Sequence, residues 1–128
     1  MKIPYGKNVY DNREINAVVK TLKKSTQMGV CVNKFEKKIS KYFSKKYGLM
    51  VNSGSSAIML AVKVLDLKKG DEVITPCLNF GTAISSLMHY GVEPIFVDIK
   101  IETLQIDIQK LEKKITKKTK ALLIPNLI

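Results

Sequence analysis

Apolar residues recur along this chain at two spacings, and the changes between them predict its elements. From Asp11 to Lys24, Ile15, Val18, Val19 and Leu22 repeat at the three- and four-residue intervals of one helix face, with Asp11 placed to cap the first turn. Gly29 breaks that pattern. A second helix is expected from about Val32 to Phe43, burying Phe35, Ile39, Tyr42 and Phe43 and turning its lysines outward. Tyr47 to Val51 reads as a short strand, and helical spacing returns from Ser55 to Leu65 through Ile58, Met59, Ala61, Val62 and Leu65. Glu72-Val73-Ile74-Thr75 is then a strand stopped by Pro76, and a helix starting at Asn79 or Thr82 runs to Tyr90, where Gly91 ends it. Pro94 to Ile99 predicts a strand, Asp107 to Ile115 a helix, and Lys120 to Ile124 a last strand.

From Tyr47 onward, strands and helices alternate, which predicts an α/β fold with a mostly parallel sheet flanked by helices. Short, nearly all-apolar strands fit a sheet covered on both faces. The chain divides accordingly into a helical segment over residues 1–46 and the first part of an α/β domain over 47–128. The apolar end, Ala121-Leu122-Leu123-Ile124-Pro125-Asn126-Leu127-Ile128, has no closing helix, so the domain is expected to be truncated there. Ligands of such sheets gather at the carboxyl ends of the strands, and Gly54 and Phe80 are both expected just beyond strand ends.

Composition narrows the function classes. An apolar fraction of 45% with 26% charged residues describes a globular protein of 128 residues, and no apolar run approaches a bilayer span. The net charge of +11 suggests a nucleic-acid partner, but Arg13 is the only arginine and the lysines lie on predicted helix faces. Base readout and bidentate phosphate clamps use arginine, so a solvated lysine surface is the better reading. Cys31 and Cys77 lack metal-ligand spacing, which excludes a disulfide scaffold or zinc site and fits a reduced, cytoplasmic setting.

The candidate chemistry centres on Asn52-Ser53-Gly54-Ser55-Ser56-Ala57, a small-residue turn opening a helix. Free backbone amides and the positive end of the helix dipole suit an anion such as phosphate. Gly54 is expected to allow a sharp bend and close approach, and Ser55 and Ser56 to add hydroxyl donors. A plain serine N-cap is the bland alternative. Elsewhere, Asp98 reads as a turn residue and His89 as a complement to a helix C-terminus. Cys77 lacks a basic neighbour to activate its thiol, and Asp107 and Glu112 lie on an outer helix rather than as a catalytic pair.

Laid out in order, these segments resemble the amino-terminal part of the DegT/DnrJ/EryC1/StrS family. They comprise Phe35-Glu36, Asn52 to Ala57, Gly70-Asp71-Glu72-Val73-Ile74-Thr75-Pro76, Phe80, Gly91-Val92-Glu93-Pro94-Ile95-Phe96-Val97-Asp98, Ile106-Asp107 and Ile115 to Ala121. The resemblance implies an incomplete large domain of the aspartate-aminotransferase-like fold (PLP fold type I) and the cofactor pyridoxal 5'-phosphate. It implies amino transfer from an amino-acid donor to a keto sugar nucleotide, in surface polysaccharide, lipopolysaccharide or amino-sugar biosynthesis. A homodimer is implied, with no nucleic-acid or membrane partner.

By that resemblance Gly54, Ser55 and Ser56 bind the cofactor phosphate, Ser55 through its hydroxyl and Ser56 through its amide, while Phe80 stacks on the pyridine ring. The family's cofactor-binding Lys and the carboxylate that pairs with the pyridine nitrogen lie beyond the position of Ile128, so no catalytic residue is assigned here. Asn52 to Ala57, together with Asn79-Phe80-Gly81-Thr82, also resembles a subgroup of sugar-nucleotide 3-dehydratases in which His replaces that Lys. A non-catalytic remnant is the third alternative.

Overall fold

Val73, Ile74 and Thr75 are each at most 1% exposed, and the sheet is built around them. The computed structural model describes residues 6–24, 26–27 and 29–126, which fall into two units divided between Met50 and Val51. In the second unit, strand β1 (Glu72–Pro76) lies between β2 (Glu93–Val97) and β3 (Thr119–Leu122), all parallel. Parallel neighbours need crossovers. Helix α4 (Gly81–His89) makes the first, and α5 (Ile108–Glu112), capped by the Asp107 carboxylate, lies in the second. Helix α3 (Gly54–Val64) precedes β1.

Alternation along β1 creates two half-cores. Val73 packs with Val62 of α3, Leu87 of α4 and Val92, whereas Ile74 packs with Val97, Ile106 and Leu111 of α5. Thus α3 and α4 cover one face and α5 the other, as expected for an α/β sheet with short apolar strands.

The first unit holds α1 (Asn12–Lys24) and α2 (Val30–Tyr42). The α1 start is a capping box: Asp11 Oδ1 accepts the Arg13 amide at 2.7 Å, and Glu14 Oε2 accepts the Asp11 amide at 2.8 Å.

Two expectations fail here. Phe35, Ile39, Tyr42 and Phe43 are 39–81% exposed rather than buried. Helical spacing shows which face is apolar; burial also needs a surface to cover that face. Residues 47–51 form no strand, because a strand needs a ladder partner and this segment finds none among the described residues. Its Met50 amide instead donates to Glu36 Oε1 at 2.8 Å. The close approach depends on Gly48, where a Cβ would sit 2.8 Å from the Glu36 carbonyl oxygen.

Candidate functional site

The ends of α3 and α4 place the two candidate segments on one edge of the sheet. Gly91 leaves α4 with φ 70°, a conformation that favours glycine, and its carbonyl accepts the Gly70 amide at 2.9 Å. The Glu93 amide donates to the Asp71 carbonyl at 2.8 Å beside it. The exits of both helices therefore meet at the amino edge of β1 and β2. Because α3 and α4 also pack against each other, their amino termini both open at the carboxyl edge. Parallel α/β sheets bind ligands at that edge.

At the start of α3, Ser53 is the N-cap in an extended conformation, and its hydroxyl accepts the Ser56 amide at 3.1 Å. The Ser53 hydroxyl donates to Ser56 Oγ at 3.1 Å, and the Ser56 hydroxyl donates to Asn52 Oδ1 at 2.7 Å. The cap reading thus holds for Ser53, and the Ser56 amide is engaged by it. The amides of Gly54 and Ser55 and the Ser55 hydroxyl have no hydrogen-bond partner among the described residues. All three are exposed at the positive end of the helix dipole, and no acidic residue occurs from Val51 to Leu65.

Gly54 adopts no left-handed φ, and a Cβ there would meet nothing within 4 Å. The expected sharp bend is therefore not what its glycine serves. Glycine leaves open space at the first turn of α3, next to the Gly54 and Ser55 amides, which are unpartnered among the described residues; such a donor set fits phosphate.

Phe80 begins α4 as a ring that is 72% exposed, although a phenylalanine of an α/β domain is ordinarily core. Its amide donates to Asn79 Oδ1 at 2.7 Å, and Asn79 Nδ2 donates to Thr75 Oγ1 at 2.7 Å. Thr75, 0% exposed, donates its hydroxyl to the Leu123 carbonyl at 2.9 Å. The ring thus stands on a loop tied into the sheet, where a flat apolar ligand face can meet it. Sequence reasoning placed Asn52 and Asn79 in motifs without giving either a bonding role, and it missed Thr75. A signal existed for Thr75: a polar residue within an apolar central strand needs a buried partner.

The remaining polar candidates have structural roles. Asp98 Oδ1 accepts the Ile99 amide at 2.9 Å, and Oδ2 pairs with Lys110 Nζ at 3.1 Å. The Ile99 amide first, and then Lys110, hold its carboxyl below the ordinary carboxylate value. With the folded value lowered, the stabilising contribution is present above the unfolded carboxylate range and lost as pH falls through the folded value. Asp98→Asn should therefore melt slightly below the parent at neutral pH, with the difference vanishing as pH falls through the lowered folded value. Equal melting points at neutral pH would remove Asp98 from the stability balance. Asp107 is spent capping α5, and His89 packs edge-on against Tyr90 with ring centroids 5.0 Å apart. Cys31 and Cys77 are both free and exposed.

Residues 8–128 match the DegT/DnrJ/EryC1/StrS aminotransferase family. GDP-4-keto-6-deoxy-D-mannose 3-dehydratase of Yersinia pseudotuberculosis is 38% identical over all of this chain and 34% of its own length. The dTDP-3-amino-3,6-dideoxy-alpha-D-galactopyranose transaminase of Aneurinibacillus thermoaerophilus is 36% identical over 78% of this chain and 28% of its own. Among solved structures, the Escherichia coli GDP-4-keto-6-deoxy-D-mannose-3-dehydratase with bound hydrated PLP superimposes with a TM-score of 0.90. It is 38% identical over 98% of this chain and 34% of that one. The chain thus spans about a third of the length of the relatives it matches.

Proposed function

We propose, for a chain that belongs to the DegT/DnrJ/EryC1/StrS aminotransferase family, that it forms the phosphate- and ring-binding part of a pyridoxal-phosphate enzyme acting on keto sugar nucleotides. The observation that carries this reading is the start of α3: two amides and a hydroxyl unpartnered among the described residues, and a glycine that the chain's own conformation does not require. When bound, the cofactor supplies an electron-withdrawing ring that carries an amino group from an amino-acid donor to the sugar carbonyl. Gly54 and Ser55 hold the phosphate through their amides, and Ser55 adds its hydroxyl. Ser56 takes part by sharing the amide that now donates to Ser53. Phe80 fixes the plane of the ring and leaves its other face open to substrate.

A second reading, sugar-nucleotide 3-dehydration, is supported by the names of the Yersinia and Escherichia relatives. The product separates the two: an amino sugar nucleotide from transfer, a 3-deoxy sugar nucleotide from dehydration. We propose for either chemistry a place in surface polysaccharide or lipopolysaccharide biosynthesis, the setting that the family resemblance implies. A homodimer is supported by the α1 stripe of Ile15, Val18, Val19 and Leu22, which is 42–63% exposed in a single copy. Two unpaired cysteines support a reduced, cytoplasmic setting. Among the described residues, no helix is long and apolar enough to cross a membrane.

Ser55→Ala tests the phosphate contact in the complete gene product that carries this sequence. The hydroxyl bonds nothing among the described residues, so melting should shift little, while PLP affinity, followed by absorbance titration, should fall roughly tenfold for one charged hydrogen bond. Unchanged affinity would place the phosphate elsewhere.

A further inference from the structure

The hydrogen bonds around Asn79 run in a line from the sheet to Phe80. Thr75 Oγ1 has one proton, and it goes to the Leu123 carbonyl at 2.9 Å. Toward Asn79 that oxygen can therefore only accept, and Nδ2 donates to it at 2.7 Å. This settles which way the Asn79 amide faces and leaves Oδ1 to accept the Phe80 amide at 2.7 Å. The Leu123 amide donates to the Ile74 carbonyl at 2.9 Å, so the exit of β3 is held by two successive residues of β1.

Aspartate has the same shape as asparagine without the donor. At position 79 it would face the lone pairs of Thr75, which could satisfy it only by withdrawing the hydroxyl proton from Leu123. We infer that Asn79 is a positioning residue for the cofactor ring: it sets the pose of Phe80 and makes that pose depend on where β3 leaves the sheet. The inference rests on Phe80 being the stacking surface.

The test uses the complete gene product loaded with PLP, with affinity and the visible circular dichroism of the bound cofactor as readouts. Asn79→Asp should weaken PLP about tenfold and alter the dichroic band, Asn79→Ala should act in the same direction, and Thr75→Ser should leave both readouts as in the parent. In a Phe80→Ala background, Asn79→Asp should add nothing. If both Asn79 variants match the parent while Phe80→Ala weakens binding, the inference is overturned and the stacking reading stands. An equal loss in both backgrounds also overturns it, because Asn79 would then act without Phe80. If Phe80→Ala leaves affinity unchanged, the stacking reading itself fails, and the inference with it.

Discussion

Leu87→Ala is expected to destabilise the α/β unit by about 2–5 kcal/mol, the largest stability loss foreseen for a single side chain here. Leu87 is 0% exposed and lies where α4 meets Val62 of α3, Val73 of β1 and Val92. Leu67, Tyr90, Ala121 and Leu123 pack around that cluster, so truncation leaves a cavity bounded by elements that cannot all collapse into it. The same cluster presses α3 and α4 together, so PLP affinity should fall along with stability. Met88, next along the same helix and 64% exposed, is the internal control. Met88→Ala should stay within about 0.5 kcal/mol of the parent in urea unfolding. A Leu87→Ala cost no larger than that of Met88→Ala would contradict the packing described.

Gly54→Ala should separate stability from binding. The conformation of Gly54 is open to alanine, and the added Cβ meets no atom of the chain within 4 Å. Replacing glycine at a compatible position restricts the unfolded chain, so melting should hold or rise, by about 0.4–1 kcal/mol. The same Cβ adds bulk at the exposed first turn of α3, next to the Gly54 and Ser55 amides. Displacing a phosphate from one or two charged hydrogen bonds should weaken PLP by about 10- to 100-fold. Melting curves and PLP titrations on one preparation give both quantities. A stability loss with intact affinity would mean that the glycine serves the fold instead.

Much of the second unit was legible in the sequence because its elements are bounded by residues with one structural use. Gly91 ends α4, Asp107 caps α5, and the apolar run Val73-Ile74 becomes the doubly covered centre of a parallel sheet. The expected aspartate-aminotransferase-like α/β architecture matches its solved relative at a TM-score of 0.90. The first unit was less legible: the same period that located α1 and α2 says nothing about what covers their apolar faces. Residues 47–51 have strand-like composition, but pairing depends on a partner that local sequence does not name.

At the site, the serine-rich turn stood out through its place in the ordered segments that carry the family resemblance, since a small polar residue opening a helix is most often a plain N-cap. The hydrogen-bond line through Thr75 and Asn79 was hidden, because its central contact joins β1 to Leu123, 48 residues away. Nor could sequence tell which serine spends its bonds on the cap. Ser53 and Ser56 do, leaving the Ser55 hydroxyl without a partner among the described residues.

The most direct measurement is a crystal structure of the complete gene product with PLP. The cofactor phosphate is expected within about 2.7–3.2 Å of the Gly54 and Ser55 amides and the Ser55 hydroxyl, with the pyridine ring stacked on Phe80. A phosphate seated away from the start of α3, or a ring that leaves Phe80 in solvent, would contradict the site.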